Sequence, residues 1–132
     1  MELISVYEHH FGVTALYHLL AERPIEANIS HKAMPTWEQH TLFVGSEPYM
    51  HWYLIIQEKA CLGAVYLSKQ REIGIGIFKS YQGHGYGAAA VKLLMERHPG
   101  KFLANVAPGN RKSVDLFAEL GFNLVQHTYS HE

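Results

Sequence analysis

Residues Gln82-Gly-His-Gly-Tyr-Gly87 are the part of the chain best equipped for chemistry. Glycines at 83, 85 and 87 leave backbone N–H groups unshielded, and the run Ala88–Met95 that follows reads as a helix whose first turn carries partial positive charge. Preceded by the strand-like Glu72–Phe78, this loop has the make-up of a phosphate-binding turn. Glycine serves any tight turn as well, so context decides. The third glycine of a dinucleotide G-x-G-x-x-G fingerprint is missing, because Gly87 is followed by Ala88-Ala89-Ala90. A Walker loop would end in Gly-Lys-Ser/Thr, where this chain has Tyr86-Gly87-Ala88. The loop implies a phosphorylated cofactor held by main-chain donors.

At 132 residues and 48% hydrophobic content the chain is sized and composed as one folded domain, residues 1–132. Cys61 is the only cysteine, which excludes an internal disulfide and a thiolate cluster. Ten histidines are scattered without an H-E-x-x-H pair, so no metal site is expected. The first eight residues lack the basic and apolar regions of a signal peptide, and no apolar run is long enough for a bilayer; a cytoplasmic protein with no membrane partner is expected. A net charge of −1 argues against nucleic acid as a partner. Residues 1–66 hold 3 basic and 7 acidic side chains, residues 67–132 hold 8 and 5, so the basic half contains the glycine loop. That asymmetry suits an anionic cofactor beside the second half and a cationic or neutral substrate beside the first; random surface variation would give the same counts.

The elements that must position the loop follow from periodicity. Glu2–Tyr7 alternates as a first strand, and Val13, Leu16, Tyr17 and Leu20 share one helical face ending before Pro24. Thr36 caps a helix through Val44. Tyr49–Gln57, apolar on both faces, reads as a central strand; Glu58-Lys59 turns into Leu62–Ser68, and Gln70-Arg71 into Glu72–Phe78. Beyond the loop, Ala88, Val91, Leu94 and Met95 form a helical stripe stopped by Pro99-Gly100. Phe102–Val106 reads as a short strand, Asn110 caps a helix ended by Gly121, and Phe122–Tyr129 reads as a last strand.

The order of strand, Gln-x-x-Gly-x-Gly, helix, strand, Asn-x-x-Ser helix and Gly-Phe strand resembles the GNAT superfamily of N-acetyltransferases from about Glu72 to Phe122. Gln82–Gly87 is similar to its acetyl-CoA pyrophosphate loop, and Asn110-Arg-Lys-Ser113 with Gly121-Phe122 to its second motif. The first seventy residues match only in the general order of elements. The resemblance implies an α/β (α+β) fold: a mixed, mostly antiparallel sheet of about six to seven strands with flanking helices. Its fourth and fifth strands, here Glu72–Phe78 and Phe102–Val106, would splay apart to admit pantetheine. It assigns acetyl-CoA as cofactor and Ile75, Gly76, Ile77, Gln82, Gly83, His84, Gly85, Tyr86, Gly87, Ala88, Asn105, Asn110, Ser113 and Phe117 to its binding. Gly74 and Gly76 share a face, so a ligand is expected to approach the backbone there; a bulge in a crowded sheet is the alternative.

Acetyl transfer to an alkylamine of pKa about 10.4 needs a base. Glu72, on the same strand face as Gly74 and Gly76, resembles the glutamate that many GNAT enzymes carry there; a surface pair with Arg71 or Lys69 is the plainer reading. A backbone N–H near Ile75 or Ile77 would stabilise the oxyanion. Phe117 stands where many family members carry a tyrosine acid, leaving Ser113, Tyr81 or Tyr129 as substitutes. Substrate contacts are expected from Asn28, His31, Trp37, Glu38, His40, Trp52 and Tyr66. Ile29-Ser30 and Glu38-Gln39-His40 are similar to segments of small GNAT proteins that acetylate amino sugars on nucleotide carriers. The expected reaction is acetylation of a primary amine on a small molecule or a protein, by a monomer or homodimer. A catalytically weak acyl-CoA-binding or sensing module is the alternative that Phe117 raises; a binder of ATP or NAD is another.

Overall fold

In the computed structural model, residues 1–23 and 33–132 are described. Four strands, β1 (Glu2–Ser5), β2 (His51–Gln57), β3 (Ala60–Leu67) and β4 (Ile73–Ile77), form one antiparallel sheet in that order. Two helices, α1 (Gly12–Ala21) and α2 (Trp37–Gly45), intervene between β1 and β2; α3 (Tyr86–Arg97) and α4 (Arg111–Glu119) follow β4. Glu58 and Lys59, with φ of 50° and 69°, turn β2 into β3, and two successive left-handed residues match the twist of such a hairpin.

Alternation along the strands loads both faces of the sheet. Tyr53, Ile55, Val65, Leu67 and Ile73 pack on Ala90, Val91 and Leu94 of α3 and Phe117 of α4. On the other face Leu54 and Ala64, with Val6, meet Leu16 of α1 and Val44 of α2. A central strand with helices over both sides must be apolar on both faces, as β2 is. Thr36 begins α2 in a capping box: its hydroxyl accepts from the Gln39 N–H at 3.1 Å and the Gln39 side chain accepts from the Thr36 N–H at 2.9 Å.

The expected sheet of six to seven strands is corrected to four among the described residues. Phe102–Val106 contributes one parallel bridge, Leu103 with Glu72, and no ladder. Phe122–Tyr129 forms no strand, and Leu124, Val125 and Tyr129 in it are exposed. Strand propensity acts only where an edge is offered for pairing. The segment next in line, 102–106, is itself joined to the sheet at a single point and offers none.

That single point sets the shape of the sheet edge. The Ile73 N–H donates to Leu103 O at 2.7 Å and the Leu103 N–H to Arg71 O at 2.9 Å, and pairing then stops. Arg71 secures the region from outside, its Nε donating to Lys101 O at 2.8 Å and its Nη2 to His98 O at 2.5 Å. His98 lies 2.7 Å from the Tyr53 hydroxyl and stacks on His51 with ring centroids 3.7 Å apart, which fastens the end of α3 to β2.

Burial holds both histidines below their ordinary pKa, helped by Arg71 at His51 and by His51, Arg97 and Arg71 at His98. A depressed folded-state value means that the neutral pair stabilises the fold above about pH 6.5 and that this contribution drains away as pH falls through the lowered values. The melting temperature is therefore expected to drop between pH 7 and 5, and less steeply in His98→Gln. Thermal scans across that window check it; an identical slope in the variant contradicts the assignment.

Candidate active site

The glycines of the loop divide by environment. Gly83 and Gly85 have φ of +84° and +79°, a region that L side chains rarely adopt, and a Cβ on either would meet nothing within 4 Å. Both are thus conformationally required and open. Gly87 is buried, and a Cβ there would lie 3.0 Å from Leu116 and 3.7 Å from Ile77, so it allows α3 to pack closely against α4 and β4.

Two of the helices, α2 and α4, are capped by side chains, Thr36 in one and Asn110 in the other, whereas α3 begins at Gly85 without a side-chain cap. Its first internal bond runs from the Ala89 N–H to Gly85 O at 3.1 Å. The N–H groups of Gly83, His84, Gly85, Tyr86, Gly87 and Ala88 meet no acceptor among the described residues. Unbonded donors at the positive end of a twelve-residue helix are the arrangement that suits an anion. Gln82 braces it, donating to Ile77 O at 2.9 Å while accepting from Lys112 Nζ at 3.0 Å.

Upstream of the loop, β4 has one strand partner among the described residues, β3. The N–H of Phe78 points to β3, where it donates to Leu62 O at 2.9 Å, and that of Ile73 points to Leu103 on the opposite side. By the two-residue period, the N–H groups of Ile75 and Ile77 point the same way as that of Ile73, into the space where 102–106 has left the sheet.

Glu72 stands at the parting point, and its carboxylate accepts a hydrogen bond from the Asn105 side-chain amide across the mouth of the gap. The plainer pairing with Arg71 does not form, because that guanidinium is directed at the carbonyls of His98 and Lys101. On the same sheet face the space over Gly74 is taken by the Tyr66 ring, 2.0 Å from where a Cβ would be, and that over Gly76 by Leu19 at 3.2 Å. These glycines make room on this face for the chain's own Tyr66 and Leu19. Tyr66 stacks on Tyr49 with centroids 3.8 Å apart, and Trp52 meets Tyr49 edge-on at 4.7 Å. Burial, then the neighbouring Tyr66, pushes the Tyr49 hydroxyl well above the usual tyrosine range, so it is a neutral polar group.

The remaining expected residues are spread out. Trp37 packs edge-on against Tyr17 at 5.2 Å, and buried His40 donates from Nε2 to Val13 O at 2.9 Å. The Asn110 side chain accepts from the Ser113 N–H at 3.4 Å, placing Ser113 in the first turn of α4. Phe117 is buried against Phe122 with centroids 5.1 Å apart. Asn28 and His31 lie outside the described residues, as do Ile29 and Ser30. Sequence reasoning did not single out Tyr49 or the bond between Asn105 and Glu72, and a sequence carries no spacing signal for either. No described helix is long and apolar enough to cross a membrane.

A glycine loop with unbonded amides beside a half-paired strand is the geometry to set against known proteins. The model of the acetyltransferase (GNAT) family matches residues 13–122, and the chain belongs to that family. Its cosubstrate is acetyl-CoA. Spermidine N-acetyltransferase from Vibrio cholerae, solved with CoA and spermine, superposes with a TM-score of 0.79 at 18% identity, over 96% of this chain and 82% of that one. Ribosomal-protein-alanine N-acetyltransferase from Brucella melitensis gives 0.71 at 15% identity, over 93% and 85%. The acetyltransferase yncA from Salmonella typhimurium, solved with acetyl-CoA and described there as putative, gives 0.67 at 15% identity, over 92% and 77%. No curated protein sequence matches the chain significantly.

Replacing Gly85 by valine puts a branched side chain into a left-handed position and over the open amides. Calorimetric titration with CoA is expected to show affinity falling at least about tenfold, with Gly109→Ala near wild type; unchanged affinity in Gly85→Val discredits the loop as the anion site.

Proposed function

We propose that the protein transfers the acetyl group of acetyl-CoA to a primary amine by direct attack of the amine on the thioester. The observation that carries this reading is the carboxylate of Glu72 at the point where β4 loses its second partner. In acetyl-CoA the acyl carbon is already activated as a thioester, with a thiolate leaving group.

In this reading the six amides from Gly83 to Ala88 hold the diphosphate, and the N–H of Ile75 and Ile77 orient the pantetheine arm and stabilise negative charge on the carbonyl oxygen. Glu72 takes the proton that the incoming ammonium must lose, directly or through water. Phe117 supplies no acid, but a thiol of pKa about 8.5 leaves without one at neutral pH far more readily than an alkoxide would. Tyr49, Trp52 and Tyr66 form an aromatic cluster whose Tyr66 covers Gly74 on the strand face that Glu72 shares, suited to the alkyl stem or ring that bears the amine. The family, and structural neighbours named for spermidine and for ribosomal-protein acetylation, support an amine acceptor on a small molecule or a protein. An amino sugar belongs in the same panel.

Phe117 also favours a second reading, an acyl-CoA-binding module with little turnover. Thiol release from acetyl-CoA, measured with spermidine, glucosamine and an alanine-terminated peptide, separates the two. Turnover with at least one amine is expected, and CoA binding with no turnover on all of them favours the module. In the turnover case Glu72→Gln should lower kcat about 100-fold while leaving CoA affinity within about twofold. An unchanged kcat removes Glu72 from the chemistry.

A further inference from the structure

Asn105 occupies an unusual place for a residue of the cofactor side. It lies two residues beyond Leu103, the residue of its segment that is bridged to the sheet, and on the side away from the core, because Phe102, Ala104 and Val106 pack against the buried layer. From there its side-chain amide reaches back over the mouth of the gap to Oε2 of Glu72. No other side chain among the described residues bonds the Glu72 carboxylate. Asn105 is exposed and Glu72 half-buried, so this is not a contact forced by core packing.

We propose that Asn105 is a positioning residue that holds the Glu72 carboxylate for proton removal, rather than a ligand of the cofactor. The inference rests on Glu72 acting as the base. A glutamate at a strand end has three rotatable bonds and, left alone beside water, spreads over many rotamers. One N–H···O⁻ bond to Oε2 selects a narrow set and leaves Oε1 and the remaining lone pairs for the substrate proton. An amide suits this task because it donates to a carboxylate and does not itself titrate, so it never competes for the proton. The bond also spans the two segments whose separation makes the gap, and therefore sets the carboxylate at the entrance to that gap.

Steady-state kinetics on four proteins test this: wild type, Asn105→Ala, Glu72→Gln and the double variant, with acetyl-CoA and whichever amine of the panel wild type turns over fastest. Asn105→Ala is expected to lower kcat about tenfold, with the KM for acetyl-CoA within about twofold and the melting temperature unchanged. In the Glu72→Gln background the same substitution should change kcat by less than about twofold, since it has no carboxylate left to orient. A rise in the acetyl-CoA KM with kcat preserved overturns the proposal in favour of a cofactor contact. Effects that multiply in the double variant, or a fall in melting temperature with kcat kept, overturn it in favour of a role independent of Glu72. A wild-type protein that turns over no amine overturns the acetyl-transfer reading, and this inference with it; turnover with multiplying effects overturns this inference alone.

Discussion

Every feature of the site depends on one unfinished pairing. β4 is bonded to β3 on one side and on the other meets Phe102–Val106 at Leu103, so among the described residues the N–H groups of Ile75 and Ile77 have no acceptor. A backbone donor that finds no acceptor in the protein must find water or a ligand. The same applies a few residues later, where the start of α3 has no side-chain cap and six amides between Gly83 and Ala88 meet no acceptor among the described residues. One contiguous stretch of chain, from β4 through the glycine loop into α3, thus carries donors that the fold itself leaves unsatisfied. An elongated ligand with amides at one end and phosphates at the other matches that stretch.

The strand must be held open for this to work, and the rest of the structure supplies the rigidity. The buried layer between the sheet and α3 fixes β4 through Ile73. Arg71 ties the turn before β4 to the carbonyls of His98 and Lys101, and the stack of His51 on His98 carries that tie to β2. On the opposite face Tyr66 and Leu19 fill the space over Gly74 and Gly76, so β4 is backed by side chains where it faces α1. Gly87 serves the same end, since its missing side chain lets α3 sit against Leu116.

Much of this was legible in the sequence because it is local. The Thr36 and Asn110 caps, the Glu58-Lys59 turn, the helical stripe of α3 and the glycine loop are each set by a few neighbouring residues, and the structure has them where the residues imply. Strand count was not legible, since Phe102–Val106 and Phe122–Tyr129 have strand-like composition but pairing depends on a free edge elsewhere in the chain. What fills the space over Gly74 and Gly76 was not legible for a related reason: a glycine announces a close approach but not what approaches, and on this face it is Tyr66 and Leu19. The bond between Asn105 and Glu72 joins residues 33 apart in the chain, and no spacing rule reaches across that distance.

The most direct measurement follows the amides themselves. Residue-resolved hydrogen exchange, recorded with and without CoA, should show protection rising at Ile75, Ile77 and across Gly83–Ala88 while the amides of β1 and β2 change little. Protection confined to other parts of the chain, with those eight amides exchanging as freely as before, contradicts the claim that the unpaired donors of β4 and α3 hold the cosubstrate.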